Sequence, residues 1–157
     1  MRYINKTEPK MYDNILIPYD GSDEAKKGAT NGIELAAAVD AQVHALYVID
    51  LPGVPRALSI RDNEEEVRRE YEEYAQEVLS EACELAATHD VDCREVTRTG
   101  SPSEEITDYA ETADVDVIAI GSAYRGKVGA LIGGTAEKVV RSSTTPVITH
   151  RMDADSI

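Results

Sequence analysis

Glycines, hydroxyls and a carboxylate placed at the ends of apolar runs are the residues of this sequence best suited to chemistry. Asp116-Val117-Ile118-Ala119-Ile120-Gly121 is an apolar strand that runs into Ser122-Ala123-Tyr124-Arg125-Gly126-Lys127. Further on, Gly133-Gly134-Thr135-Ala136-Glu137-Lys138-Val139-Val140 reads as a glycine pair opening a helix. Glycine lets backbone approach a ligand closely, and the unpaired N–H groups of a first helical turn, at the positive end of its dipole, favour an anion such as phosphate. The chemistry expected is anion binding, and a nucleotide is the first ligand to consider. Glycines alone leave a plain strand-to-helix connection equally open.

Asp20 is the carboxylate. It follows Asn14-Ile15-Leu16-Ile17-Pro18-Tyr19 and precedes Gly21-Ser22. There it can accept hydrogen bonds from ribose hydroxyls or face a hydrated magnesium ion, and it can also shape the turn. Thr135 can contact phosphate or cap the last helix. Arg125 and Lys127 would offset phosphate charge if their loop folds inward, although such residues more often stay solvated. His44, His89 and His150 fall on separate elements, which assigns them structural or solvated roles and no metal site or proton relay. Cys83 and Cys93 lack metal-ligand spacing and are expected to be free, reduced thiols in a cytoplasm. No residue stands out as a general base, so no catalytic group is named.

The elements that position these residues alternate. Residues 14–19 read as a strand, a helix follows Asp20-Gly21-Ser22 with Ala25, Ala29, Ile33 and Ala36/Ala37 at helical spacing and stops near Asp40, and residues 43–49 form the next strand. Leu51-Pro52-Gly53-Val54-Pro55 is a loop, since two prolines exclude regular structure. Val67, Tyr71, Tyr74, Val78, Ala82 and Leu85 mark one face of a long amphipathic helix, with Tyr71 and Tyr74 expected in the core. Residues 91–98 are a weaker strand, and Ser101-Pro102-Ser103-Glu104 is a capping box that opens a helix through Ala113. The strand at 116–120, a helix from Thr135 to about Ser143 and a strand at 146–150 complete the chain. The order predicts an α/β fold: an open five-stranded, largely parallel sheet with helices on both faces. Ligands of such sheets sit beyond the carboxyl ends of the strands where strand order reverses. Asp20, Val48/Asp50 and Gly121 lie near three such ends.

Composition narrows the partners. Thirty acidic against 16 basic side chains give a net charge of -14, which disfavours a non-specific grip on nucleic acid or an anionic membrane. The absence of Phe and Trp and the even spread of acids suit a hydrated surface kept soluble at high internal salt, a hint of a halophilic source. At 157 residues one compact domain is expected, at 12–151, between a leader at 1–11 and a short tail at 152–157. No run approaches the 18 or so apolar residues of a membrane span, and residues 1–6 lack a signal-peptide core.

Over residues 11–151 the chain resembles the universal stress proteins. The resemblance is carried by residues 14–22, by Tyr47-Val48-Ile49-Asp50, by Gly100-Ser101-Pro102 with Glu104-Glu105-Ile106, and by Gly121 through Pro146-Val147. It implies a homodimer paired through the last strand, Pro146 to His150, and, as in many members, ATP bound at the strand ends, with magnesium as the accompanying ion. Carried over position by position, Pro18 and Asp20 match the residues facing base and ribose. Val48 matches the adenine-facing backbone, and Gly121, Gly134, Thr135 and Ala136 match the phosphate side. One position departs: Tyr124 stands where the ATP-binding signature has its second glycine, with Gly126 two positions on. The function implied is a nucleotide-binding or nucleotide-responsive stress protein of the cytoplasm. The alternative is a signalling or structural dimer of the same fold that binds no nucleotide. Adenylating enzymes of related fold resemble one another in Ser-Gly-Gly-x-Asp-Ser or His-x-Gly-His motifs, which this sequence lacks, although slow ATP hydrolysis stays open.

Overall fold

The structure is a computed structural model that describes residues 9–50, 61–123 and 134–152. The proline-containing loop at 51–55, residues 1–8 of the leader, and the segment with Tyr124, Arg125, Gly126, Lys127 and Gly133 lie outside the described residues. Strand and helix alternate as β1 (Asn14–Pro18), α1 (Asp23–Val39), β2 (Gln42–Ile49), α2 (Arg61–Thr88), β3 (Cys93–Thr99), α3 (Pro102–Thr112), β4 (Val117–Ser122), α4 (Thr135–Ser142) and β5 (Val147–Arg151). All pairings are parallel and the sheet order is β3-β2-β1-β4-β5. The chain thus winds outward from β1 to β3, crosses over, and winds outward again through β4 and β5. Parallel neighbours need a crossover, and crossovers of one hand put the helices of the two halves on opposite faces.

The strand pleat divides the core in two. Ile15, Ile17, Val43, Ala45, Val117 and Ala119 point to the face covered by α1 and α2, where they meet Ala29, Ile33, Ala36, Val78, Leu79, Ala82 and Ala86. Their neighbours Leu16, Leu46, Ile118 and Ile120 point to the opposite face, packed against Ile106, Tyr109, Ala110, Ala136 and Val139 of α3 and α4. Central strands buried on both sides read as unbroken apolar runs, which is why β1 and β4 were recognisable in the sequence. The edge strands β3 and β5 are largely exposed.

Two polar ties fix the end of the sheet opposite the candidate site. Asp116 Oδ2 accepts from the backbone N–H groups of Asp13 at 2.8 Å and Asn14 at 2.9 Å, clamping the start of β1 to the start of β4. His44 is 2% exposed, with Nδ1 2.8 Å from the Tyr109 hydroxyl and Nε2 3.1 Å from Asn14 Oδ1. Because the Asn14 oxygen can only accept, Nε2 carries the proton and Nδ1 accepts from Tyr109. Burial, and then Arg94, lower the His44 pKa, so the ring is held neutral. His44 is structural, as expected from its isolation in the sequence.

Three local expectations are corrected. Cys83 and Cys93 are joined by a disulfide rather than free. After Thr88 the chain turns through His89 and Asp90, Asp90 with φ of 55°, and Val43 pairs with Cys93 in the sheet. That return lays α2 over β3 and brings the two Cα atoms to 5.3 Å, within bridging range. Ser101 makes no side-chain cap hydrogen bond, and α3 opens instead on Pro102, whose preset φ and missing N–H suit a first helical position. Tyr74 is not core: it is 43% exposed, and Val67 is 39% exposed. At 28 residues α2 is about 42 Å long, whereas the eight residues of β2 span about 26 Å, so its N-terminal turns overrun the sheet. The packed face is Ala75, Val78, Leu79, Ala82 and Ala86.

Candidate functional site

The site lies where β1 and β4, adjacent in the sheet, send their chains to opposite faces. At the end of β1 the Tyr19 N–H donates to the Leu46 carbonyl at 2.8 Å, and the Tyr19 ring is buried. Burial, then the hydrogen bond from its hydroxyl to Glu81 at 2.7 Å, raises the Tyr19 pKa, so the phenol stays protonated. Asp20 Oδ1 accepts from the Ser22 N–H at 2.9 Å, Gly21 takes a φ of 81°, and Ser22 Oγ accepts from the Ala25 N–H at 3.2 Å as the cap of α1. One oxygen of the Asp20 carboxylate therefore shapes the turn. The turn and ligand roles weighed for Asp20 are compatible, since a carboxylate has a second oxygen.

Gly121 sits at the end of β4 under the first turns of α1. A Cβ there would come 1.7 Å from the Glu24 carbonyl oxygen, and a Cβ on Gly28 would come 2.4 Å from the Gly121 nitrogen. The two glycines let helix and strand backbones touch. At the head of α4 the cap residue is Gly134, which contributes no side-chain hydrogen bond, and Thr135 is the first helical residue rather than the cap. The first N–H groups of α4 are thus left without a side-chain partner, the condition that suits an anion.

These strand ends and helix starts enclose a cavity of about 380 Å³. Pro18, Asp20, Val48, Gly121, Gly134, Thr135 and Ala136, singled out from separate stretches of sequence, all line it. Its volume lies in the range of small-molecule sites. Leu46, Val48, Ile106 and Ile120 supply apolar wall, while Asp20, Glu24, Glu137 and one guanidinium, that of Arg151, are the charged groups lining it among the described residues. Leu46, Ile106 and Ile120 were not anticipated as lining. Their signal in the sequence was only that of core positions, and nothing local told which core residues reach the sheet end. The arrangement can take a flat apolar group against the strand ends and an anion at the α4 start. Among the described residues there is no cluster of side chains suited to holding a metal ion.

Residues 11–151 match the universal stress protein family. The chain belongs to that family. A universal stress protein of Methanocaldococcus jannaschii is 33% identical over 142 residues, covering 88% of this chain and 81% of the relative. The solved universal stress protein UspA from Lactobacillus plantarum superposes with a TM-score of 0.76 at 25% identity, over 90% of this chain and 99% of that one. Two further universal stress protein structures carry nucleotides. The Archaeoglobus fulgidus protein, in complex with dAMP, has a TM-score of 0.59 at 23% identity and covers 88% of this chain and 98% of its own. An Arabidopsis thaliana family member with AMP bound has a TM-score of 0.68 at 17% identity, over 91% and 94%. The sheet of this chain is thus the universal stress protein sheet.

Proposed function

We propose that this universal stress protein domain is a nucleotide-responsive regulator that takes up an adenine nucleotide in the cavity between β1, β4, α1 and α4. The observation that carries the reading is the convergence of seven residues from four stretches of sequence on one cavity at the strand-order reversal. The residues fit the ligand. Pro18, Val48, Leu46 and Ile106 offer an apolar bed for the base, Asp20 accepts from ribose hydroxyls, and the open α4 start at Gly134, Thr135 and Ala136 receives phosphate. The adenine nucleotides bound by two fold neighbours support the same class of ligand.

ATP accompanied by magnesium is the form implied by the family. Three carboxylates line the described part of the cavity, so a magnesium ion would offset charge that a bare triphosphate brings. Calorimetric titration of the purified protein with AMP, and with ATP in the presence and absence of magnesium, tests this. Saturable binding of either nucleotide supports the reading, and heats equal to dilution for both refute it.

The regulator works as a homodimer paired through β5. That strand is a sheet edge, and Ile148 on it and Val140 on neighbouring α4 are 43% and 52% exposed. An edge row of backbone groups with apolar neighbours is a template for a second copy. Among the described residues no helix is long and apolar enough to cross a membrane, and a cytoplasmic setting, where the nucleotide pool is found, accords with the proposed ligand.

A further inference from the structure

Neither cysteine of the Cys83–Cys93 disulfide lines the cavity, yet the helix that carries Cys83 supports the turn that carries Asp20. The Tyr74 hydroxyl donates to the Asp20 carbonyl oxygen at 3.1 Å. Val78 lies beneath Gly21, close enough that a Cβ on the glycine would be 3.2 Å from Val78 Cγ1. Glu81 Oε1 accepts from the Tyr19 hydroxyl at 2.7 Å and lies 3.6 Å from Lys26 Nζ of α1. Tyr74, Val78 and Glu81 therefore hold Tyr19, Asp20 and Gly21 from one face of α2. Cys83 follows Tyr74 by nine residues, about 14 Å along the helix.

The non-covalent grip on α2 rests on few large apolar side chains, chiefly Val78, Leu79 and the partly buried Leu85. Three of its five packed residues, Ala75, Ala82 and Ala86, are alanines, which remove little apolar area from water. Its outer face carries Glu65, Glu66, Glu70, Glu72, Glu73 and Glu77 with Arg68 and Arg69 set among them, an acidic excess only partly offset. The covalent tie to β3 adds to what holds α2 down. Cys83 and Cys93 are both half-buried rather than enclosed, so a small thiol can reach them.

We propose that Cys83–Cys93 is a reversible redox site that sets the affinity of the cavity. Oxidised, it holds α2, and through Tyr74 and Val78 the Asp20 turn, in the binding geometry. A dithiol reductant attacks one sulfur as its thiolate, the S–S bond breaks, and a mixed disulfide forms. The reductant's second thiol then closes its own disulfide, so two electrons and two protons pass from the dithiol to give two cysteine thiols. In a reducing compartment a disulfide is characteristically transient and redox-sensing, which is the behaviour assigned here. The ligand named rests on the nucleotide reading above; the mechanical coupling from disulfide to turn does not.

The test is amide hydrogen exchange by mass spectrometry on the full chain, oxidised and after dithiothreitol, with AMP affinity measured calorimetrically on both forms. On reduction, the peptide covering Tyr19 to Ala25 is expected to exchange about tenfold faster while Val117 to Ile120 keep their protection, since local opening is independent of global unfolding. AMP affinity falls several-fold, and reoxidation restores both. Tyr74→Phe, which leaves the disulfide intact, reproduces the faster exchange in the oxidised protein. Unchanged exchange of the Tyr19 to Ala25 peptide overturns the coupling, and so does a uniform loss of protection across all peptides. If neither form binds AMP but the peptide responds as described, the coupling stands and the nucleotide reading falls.

Discussion

Gly121 of β4 and Glu24 of α1 meet backbone to backbone, so closely that a Cβ on the glycine would lie 1.7 Å from the Glu24 carbonyl oxygen. A glycine at the end of β4 is thereby required by the packing of α1 on the sheet, whatever occupies the cavity beside it. The obstacle is backbone and cannot rotate away, so Gly121→Ala must push α1 off the sheet. Overpacking of this kind costs about 1–3 kcal/mol, or roughly 3–10 °C in a domain of this size. Thermal melts of the ligand-free protein check this. A variant melting with the wild type would show that α1 yields freely and that the glycine serves the ligand alone.

The β5 edge carries the predicted dimer. Replacing Val147 and Ile148 by aspartate puts like charges opposite each other across the symmetry axis and should yield monomers by light scattering. A wild-type monomer, or a variant that stays dimeric, moves the interface elsewhere.

Acid should destabilise the domain through His44. Its pKa is lowered below the ordinary 6.5 in the folded protein by burial and by Arg94, so the unfolded chain takes up the proton more readily. The stability is therefore complete above about pH 6.5 and is lost as pH falls from there towards the lower folded value. Melting temperatures from pH 8 to pH 5 should drop more steeply for wild type than for His44→Gln. Parallel curves would mean that the carboxylates alone set the acid response.

Salt should stabilise the fold if the acidic surface is an adaptation to a saline interior. With a net charge of -14, self-repulsion is screened as the Debye length contracts to about 3 Å at 1 M. The melting temperature is expected to rise between dilute and molar potassium chloride. A flat or falling curve contradicts the halophilic reading.

What the sequence disclosed follows from how each residue is packed. β1 and β4 are buried on both faces, so Ile15-Leu16-Ile17 and Val117 to Ile120 are unbroken apolar runs, and the sheet could be placed from them. The capping run Asp20-Gly21-Ser22 marked the first strand end because the turn chemistry is local. The face of α2 was misjudged because alanines, which carry almost no hydropathy signal, do much of the packing there, while Val67 is exposed and Tyr74, half-exposed, leans edge-on against Tyr47 at the rim of the sheet. The disulfide was missed because the proximity of Cys83 and Cys93 comes from the return of the chain onto β3, which ten residues of spacing do not specify. The cavity's unanticipated walls, Leu46, Ile106 and Ile120, are likewise set by tertiary packing. Alternation told that they are buried, and only the strand ends told where.

Nucleotide uptake is tested most directly by native mass spectrometry of the protein purified without added nucleotide, followed by displacement with AMP. A dimer that carries or takes up one adenine nucleotide per chain is expected. A bare protein that fails to take up AMP or magnesium-ATP at millimolar concentration would contradict it.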